Sequence, residues 1–88
     1  MNKTILKFWG AGCVNCRAMD PMIDEIKADF PDIDIVAIDI DAAPDMAEKY
    51  EITALPTLIF LRNNEYADRL VGLKPKSHIA KKIELVYN

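Results

Sequence analysis

Residues 4–16 read TILKFWGAGCVNC, and the prediction of the fold begins from this segment. Its first half is β-prone and mostly apolar on both faces, which is typical of a buried parallel strand. Gly10 and Gly12 then interrupt the strand, and apolar residues recur at helical spacing from Cys13 onward. The stretch therefore predicts a strand, a glycine-containing turn and a helix that begins at Cys13.

The rest of the chain continues this alternation of strands and helices. The further predicted elements are strands over residues 33–40, 57–61 and 65–71, a short helix over residues 44–50 and a final helix from about residue 75. Asp41 is the predicted cap of the short helix, and Asn63-Asn64 can adopt the positive φ angles of a tight hairpin turn. The order β-α-β-α-β-β-α predicts an α/β fold. Its four-stranded mixed sheet has helices on both faces, and the first two strands are parallel.

Length and composition limit the classes of protein that fit. The 88 residues are 51% hydrophobic and 28% charged, which is typical of one globular domain over residues 1–88. A net charge of −3 argues against nucleic acid as the main partner. No uncharged run is long enough to span a bilayer, and no apolar signal region follows the first methionine. We therefore expect a cytoplasmic monomer with no membrane partner.

The two cysteines, Cys13 and Cys16, are three residues apart. A disulfide across so small a loop stabilises a fold by only about 2 kcal/mol in the chain-entropy estimate, so the pair is better suited to opening and closing. A thiol at a helix N-terminus has a lowered pKa, because unsatisfied N–H groups and the helix dipole favour the thiolate. We predict that Cys13 attacks a disulfide and that Cys16, one turn deeper, resolves the mixed disulfide.

Two other interpretations of this pair are a zinc site and a purely structural disulfide. Tetrahedral zinc takes four ligands, whereas the chain offers two cysteines and the single histidine His78, about sixty residues away. We expect neither a metal nor a bound cofactor.

Several short motifs together resemble the thioredoxin family over nearly the whole chain. The motifs are Phe8-Trp9, Cys13-x-x-Cys16, Pro21, Asp39-x-Asp41 with Pro44, Tyr50-x-Ile52, Leu55-Pro56-Thr57 and Val71-Gly72. The resemblance implies the thioredoxin fold without the leading strand and helix of full-length members. It also implies disulfide reductase activity, and a cis peptide at Leu55-Pro56 facing the dithiol. Substrate segments would pair with the backbone beside Leu55. From its position we expect Trp9 mainly to pack in the protein and, near the site, also to shield the dithiol.

The chain departs from the family's pattern at three places. Gly12 stands where thioredoxins usually carry tryptophan, and Val14-Asn15 replaces the usual Gly-Pro. Lys7 occupies the strand position of the family's buried acid, and the lysine usually paired with that acid falls at Ala37. Lys7 either extends its ammonium past the site to water, or acts as a cation that lowers a cysteine pKa, or is desolvated enough to exchange protons itself. We expect a reduction potential somewhat less reducing than that of thioredoxin.

These observations lead to one main functional hypothesis and two alternatives. The main hypothesis is a thiol–disulfide oxidoreductase that carries electrons to protein disulfides, with ribonucleotide reductase as an acceptor suggested by the resemblance alone. Its electron donor would be a thioredoxin-reductase-type enzyme or glutathione. The alternatives are a glutathione-coupled, glutaredoxin-like enzyme and a thioredoxin-like binding module.

Overall fold

Four strands and three helices follow one another along the chain in the predicted order. The computed structural model describes residues 1–88. The strands are β1 (Lys3–Trp9), β2 (Asp34–Asp39), β3 (Thr57–Arg62) and β4 (Glu65–Val71), and the helices are α1 (Val14–Asp29), α2 (Pro44–Lys49) and α3 (Lys76–Tyr87). None of these helices has the length and apolar character that crossing a bilayer requires.

The sheet has the strand order β2-β1-β3-β4. β1 runs parallel to β2 and antiparallel to β3, and β3 runs antiparallel to β4. The hairpin between β3 and β4 turns at Asn63 and Asn64, whose φ angles are 53° and 68°, as their residue type predicted. The mixed four-stranded sheet is therefore confirmed, with β1 and β3 in its interior.

Side chains of the two interior strands alternate between two apolar clusters. The larger cluster joins one face of the sheet to α1 and α3, and its buried members include Ile5, Leu58, Phe60, Met19, Ile26, Ile79 and Ile83. The smaller cluster lies on the opposite face and contains Leu6, Phe8, Ile59 and Leu61, with Met46 of α2 packed against it. Helices thus cover both faces of the sheet, as predicted.

The prediction that Asp41 caps α2 is wrong. The N-cap residue is Ala43, and no side chain caps the helix. A turn intervenes, because the amides of Ala42 and Ala43 bind the carbonyl oxygen of Asp39 at 3.1 and 2.9 Å. The Asp39 carboxylate also accepts the backbone N–H of Asp41 at 2.9 Å, so the Asp39 side chain stabilises this turn.

β2 is an edge strand, and this position shapes the surroundings of β1. Ala37 of β2 is the register partner of Lys7, and it is exposed. On the other side of β1, Lys7 is paired with the buried Leu58. The small side chain of Ala37 leaves open space beside Lys7, at the end of β1 from which the chain enters α1.

Candidate functional site

A cavity of about 360 Å³ lies where β1 ends and α1 begins. Its lining includes Lys7 and Trp9 from β1, both cysteines, and Asp20 from α1. Ala37 lines the cavity on the β2 side. The structure therefore brings together four of the six residues that the sequence singled out.

Cys13 is the N-cap residue of α1. Its backbone is extended, with φ −80° and ψ 100°, and its Sγ accepts the backbone N–H of Cys16 at 3.1 Å. The predicted helix start is confirmed at this residue. A thiolate at Cys13 would meet an amide donor and the positive end of the helix dipole, and both favour the charged form.

Cys13 and Cys16 form a disulfide with a Cα–Cα distance of 5.3 Å, within the ordinary range for such bonds. The two residues differ in exposure: Cys13 is half-buried, whereas only 3% of Cys16 is exposed. One sulfur is therefore accessible to a partner, and the other lies beneath it. His78 is on the surface of α3 beside Leu70, outside the cavity.

Lys7 is buried, and its ammonium forms an ion pair with the Asp20 carboxylate. The Lys7 side chain is 11% exposed and the Asp20 side chain 54%. Sequence analysis missed Asp20, although its position four residues after Cys16 places both side chains on one face of α1. Arg17 also lines the cavity and is exposed.

The Leu55-Pro56 peptide is cis, as the resemblance implied. Pro56 is buried and does not line the cavity. Leu55 lies against Gly10 of the turn before the cysteines, where an added Cβ would be only 3.0 Å from Leu55 Cδ1. The cis-proline loop therefore packs directly behind the active-site turn, and Gly10 permits this close approach.

Ionisable groups with clearly shifted pKa values lie outside the cavity. A hydrogen bond from Lys82 holds the pKa of Asp68 below its ordinary value. Burial raises the pKa of Tyr87 to about 12. The Tyr87 hydroxyl donates to the carbonyl oxygen of Thr4 or of Leu61, each at 2.8 Å. These groups bear on stability and not on the dithiol.

Comparison with known proteins gives a consistent match over this whole arrangement. The thioredoxin family model matches residues 1–85. Thioredoxin H5 of Oryza sativa subsp. japonica is 41% identical over 68 residues, 77% of this chain, and the match spans half the length of the rice protein. Staphylococcus aureus thioredoxin is 33% identical over 91% of this chain and 78% of its own length.

Solved structures show the same similarity in three dimensions. The thioredoxin NaTrxh of Nicotiana alata superposes with a TM-score of 0.90 at 32% identity, covering 97% of this chain and 73% of that one. Oxidised mitochondrial thioredoxin 3 of Saccharomyces cerevisiae gives a TM-score of 0.89 at 26% identity, covering 94% and 77%.

Proposed function

The chain belongs to the thioredoxin family and is a thiol–disulfide oxidoreductase, and we propose that Cys13 is its attacking thiol and Cys16 its resolving thiol. The assignment rests on one observation, namely that the two cysteines differ in exposure and in hydrogen bonding. Cys13 is accessible and capped by an amide donor, while Cys16 is 3% exposed. The attacking thiol needs access and charge stabilisation, and the resolving thiol needs only to reach Cys13.

The reaction then follows in two exchanges. The Cys13 thiolate attacks one sulfur of a substrate disulfide, that disulfide breaks, and one substrate thiolate leaves. Cys16 loses its proton and attacks Cys13 Sγ, which releases the second substrate thiolate and leaves the Cys13–Cys16 disulfide present in the structure. The substrate gains two electrons and the protein loses two, until an external donor reduces the pair again.

We further propose that substrate segments dock beside Leu55. Neither the N–H nor the C=O of Leu55 takes part in a backbone hydrogen bond, so both are free to pair with an extended chain. Val14 is 68% exposed beside the dithiol and offers an apolar contact. In this proposal Pro56 fixes the conformation of the loop that carries Leu55. Trp9 and Lys7 line the cavity together with the cysteines, where Trp9 shields the dithiol and Lys7 supports the site.

As in the thioredoxin family generally, the substrates are protein disulfides and the electron donor is a reductase. More specifically, we propose a cytoplasmic monomer, a single domain over residues 1–88. Its donor is a thioredoxin-reductase-type enzyme or glutathione, and ribonucleotide reductase is one candidate acceptor. With Val14-Asn15 in place of Gly-Pro, we propose a potential less reducing than the roughly −270 mV of thioredoxin.

A coupled assay with insulin as the disulfide substrate tests this proposal and identifies the donor. The purified chain receives NADPH with thioredoxin reductase in one reaction, and glutathione with glutathione reductase and NADPH in the other. We expect NADPH consumption in the first reaction that disappears in Cys13→Ser. Cys16→Ser should instead accumulate a mixed disulfide. Coupling through glutathione alone would favour the glutaredoxin-like alternative, and no turnover with either donor would contradict the carrier role.

The binding-module alternative has its own test. A chain in which both cysteines are replaced by serine keeps the surface but cannot exchange electrons. If this variant still supported the biological function of the protein, the module would be the better description.

A further inference from the structure

Lys7 lies between Ile5 and Trp9 on one face of β1, where the only other charged residue is Lys3 at the start of the strand. Ile5, two residues earlier on the same face, belongs to the larger cluster. Burial of an ammonium is costly, and an ion pair with a half-exposed carboxylate contributes little to stability. An apolar side chain would pack well beside Leu58, so stability does not explain the pair of Lys7 and Asp20.

The position of this pair relative to the dithiol points to a role in the reaction. Asp20 follows Cys16 by one helical turn, a spacing that puts their Cβ atoms about 5–6 Å apart. Lys7, Cys16 and Asp20 line the same cavity. Among its lining residues the charged groups are Lys7 from β1 and Arg17 and Asp20 from α1, while β2 contributes only the uncharged Ala37. Asp20 is therefore the one carboxylate among the residues that line the cavity with Cys16.

The resolving step requires a proton acceptor at this place. Cys16 must lose its proton to attack, yet it is 3% exposed, and a thiol in such surroundings ionises reluctantly. The Asp20 side chain is 54% exposed, so its carboxylate contacts both the cavity and bulk water. A carboxylate in this position can take a proton from the buried sulfur and release it to solvent.

We propose that Asp20 accepts the proton of Cys16 during the resolving step, with Lys7 holding the carboxylate in position. This inference rests on the proposed roles of the two cysteines. The Cys16 S–H bond breaks and its proton passes to an Asp20 oxygen. The electron pair left on Cys16 Sγ forms the new bond to Cys13 Sγ, and the bond from Cys13 to the substrate sulfur breaks. The departing substrate thiolate takes a proton from water, and Asp20 returns its proton to solvent.

The Lys7 ammonium limits the electrostatic cost of this transfer. Before it, the Lys7 ammonium is balanced by the Asp20 carboxylate. After it, the same ammonium faces a neutral acid and a Cys16 thiolate, so it stabilises the new anion. Lys7 is therefore a positioning residue that holds the Asp20 carboxylate before the transfer and stabilises the Cys16 thiolate until that thiolate attacks Cys13.

The test separates attack from resolution in one rapid-mixing experiment. The reduced chain is mixed with a symmetric aromatic disulfide whose released thiolate absorbs light. The first equivalent of thiolate reports attack by Cys13, and the second reports resolution by Cys16. General acid–base groups contribute about 10²–10⁴-fold, and we expect Asp20→Asn to slow the second equivalent at pH 7 by at least about tenfold. The first equivalent should be nearly unchanged.

The pH profile distinguishes proton transfer from a structural effect. In Asp20→Asn the resolving rate should rise with pH and approach that of the unmodified chain at pH 9–10, where hydroxide can take the Cys16 proton directly. Asp20→Glu should restore most of the rate at pH 7. Lys7→Met should slow resolution, and Lys7→Arg should recover it in part.

Asp24→Asn is the matched control, because Asp24 is an exposed carboxylate on the same helix outside the cavity. It should leave both rates unchanged. The inference is overturned if Asp20→Asn resolves at the normal rate at pH 7, if Asp24→Asn is equally slow, or if the loss persists at high pH. Should Asp20→Asn fail to fold, Asp20→Ser carries the same test. A reduced chain that releases no first equivalent would instead contradict the assigned role of Cys13.

Discussion

The contact between β1 and α1 has two ends with opposite character. Towards the start of β1, Ile5 packs in the larger cluster with Ile23 and Ile26 of α1, all at most 4% exposed. Towards its end, Lys7 and Cys16 line a cavity that opens to solvent. The same strand and helix thus have two ends. We call the apolar end at Ile5, Ile23 and Ile26 the dry end, and the polar end at Lys7 and Cys16 the reactive end. The apolar end holds the two elements together, so the other end can carry groups that packing alone would disfavour.

The largest expected effect on stability comes from Ile26→Ala at the dry end. Removal of a fully buried isoleucine side chain should lower the free energy of unfolding by about 3 kcal/mol, within the range of about 2–5 kcal/mol for such changes. The reduction potential of the dithiol should hardly change. Urea unfolding of the oxidised protein and a redox titration measure the two effects.

Val14→Ala is a control for Ile26→Ala, because Val14 is apolar but 68% exposed at the reactive end. We expect its unfolding free energy to stay within about 0.5 kcal/mol of the unmodified chain. Equal losses in both variants would remove the distinction between the two ends.

The next effect concerns Tyr87, which links α3 to the backbone at the dry end. Its pKa is raised to about 12 from an ordinary value of 10, so the folded state retains a proton that the unfolded state loses. The associated stability is fully present below pH 10 and is lost as pH rises from about 10 to about 12. Urea unfolding at several pH values in this window should show a steeper loss for the unmodified chain than for Tyr87→Phe.

At pH 7, Tyr87→Phe should cost about 1 kcal/mol, because the hydroxyl no longer donates to the carbonyl of Thr4 or Leu61. Parallel stability curves for the two proteins between pH 10 and 12 would contradict this account of Tyr87.

The smallest expected effect, and one of opposite sign, is that of Lys7→Met at the reactive end. Methionine removes a buried ammonium and leaves Asp20 half-exposed to water, so no buried charge loses its partner. We expect the unfolding free energy to be unchanged or to rise by up to about 1 kcal/mol, while turnover falls. A marked loss of stability in urea unfolding would mean that the pair of Lys7 and Asp20 is structural.

Local patterns in the sequence predicted those parts of the molecule that depend on near neighbours. The run of β-prone residues followed by glycines placed β1 and the start of α1 at Cys13. The residue types of Asn63 and Asn64 placed the hairpin. The cis peptide at Leu55-Pro56 followed only from family resemblance, since a proline at the start of a strand does not require it.

Other features depend on contacts that local patterns do not encode. In the sequence, Asp20 is simply a polar residue within a predicted helix. Its partner Lys7 lies thirteen residues earlier in the chain, so their pairing depends on how α1 folds back over β1. Asp41 fails as a cap because a turn based on Asp39 competes for the same segment. The exposure of β2 follows from its place at the edge of the sheet, which an apolar pattern cannot specify.

The difference between the two thiols is best measured by alkylation of the reduced protein. Iodoacetamide is applied in limiting amount over pH 5–10, and peptide mass mapping counts the label on each cysteine. Cys13 should react first, with an apparent pKa below the ordinary value of about 8.5, while Cys16 remains largely unlabelled near neutral pH. Equal labelling of both cysteines, or earlier labelling of Cys16, would contradict the assignment of attacking and resolving roles.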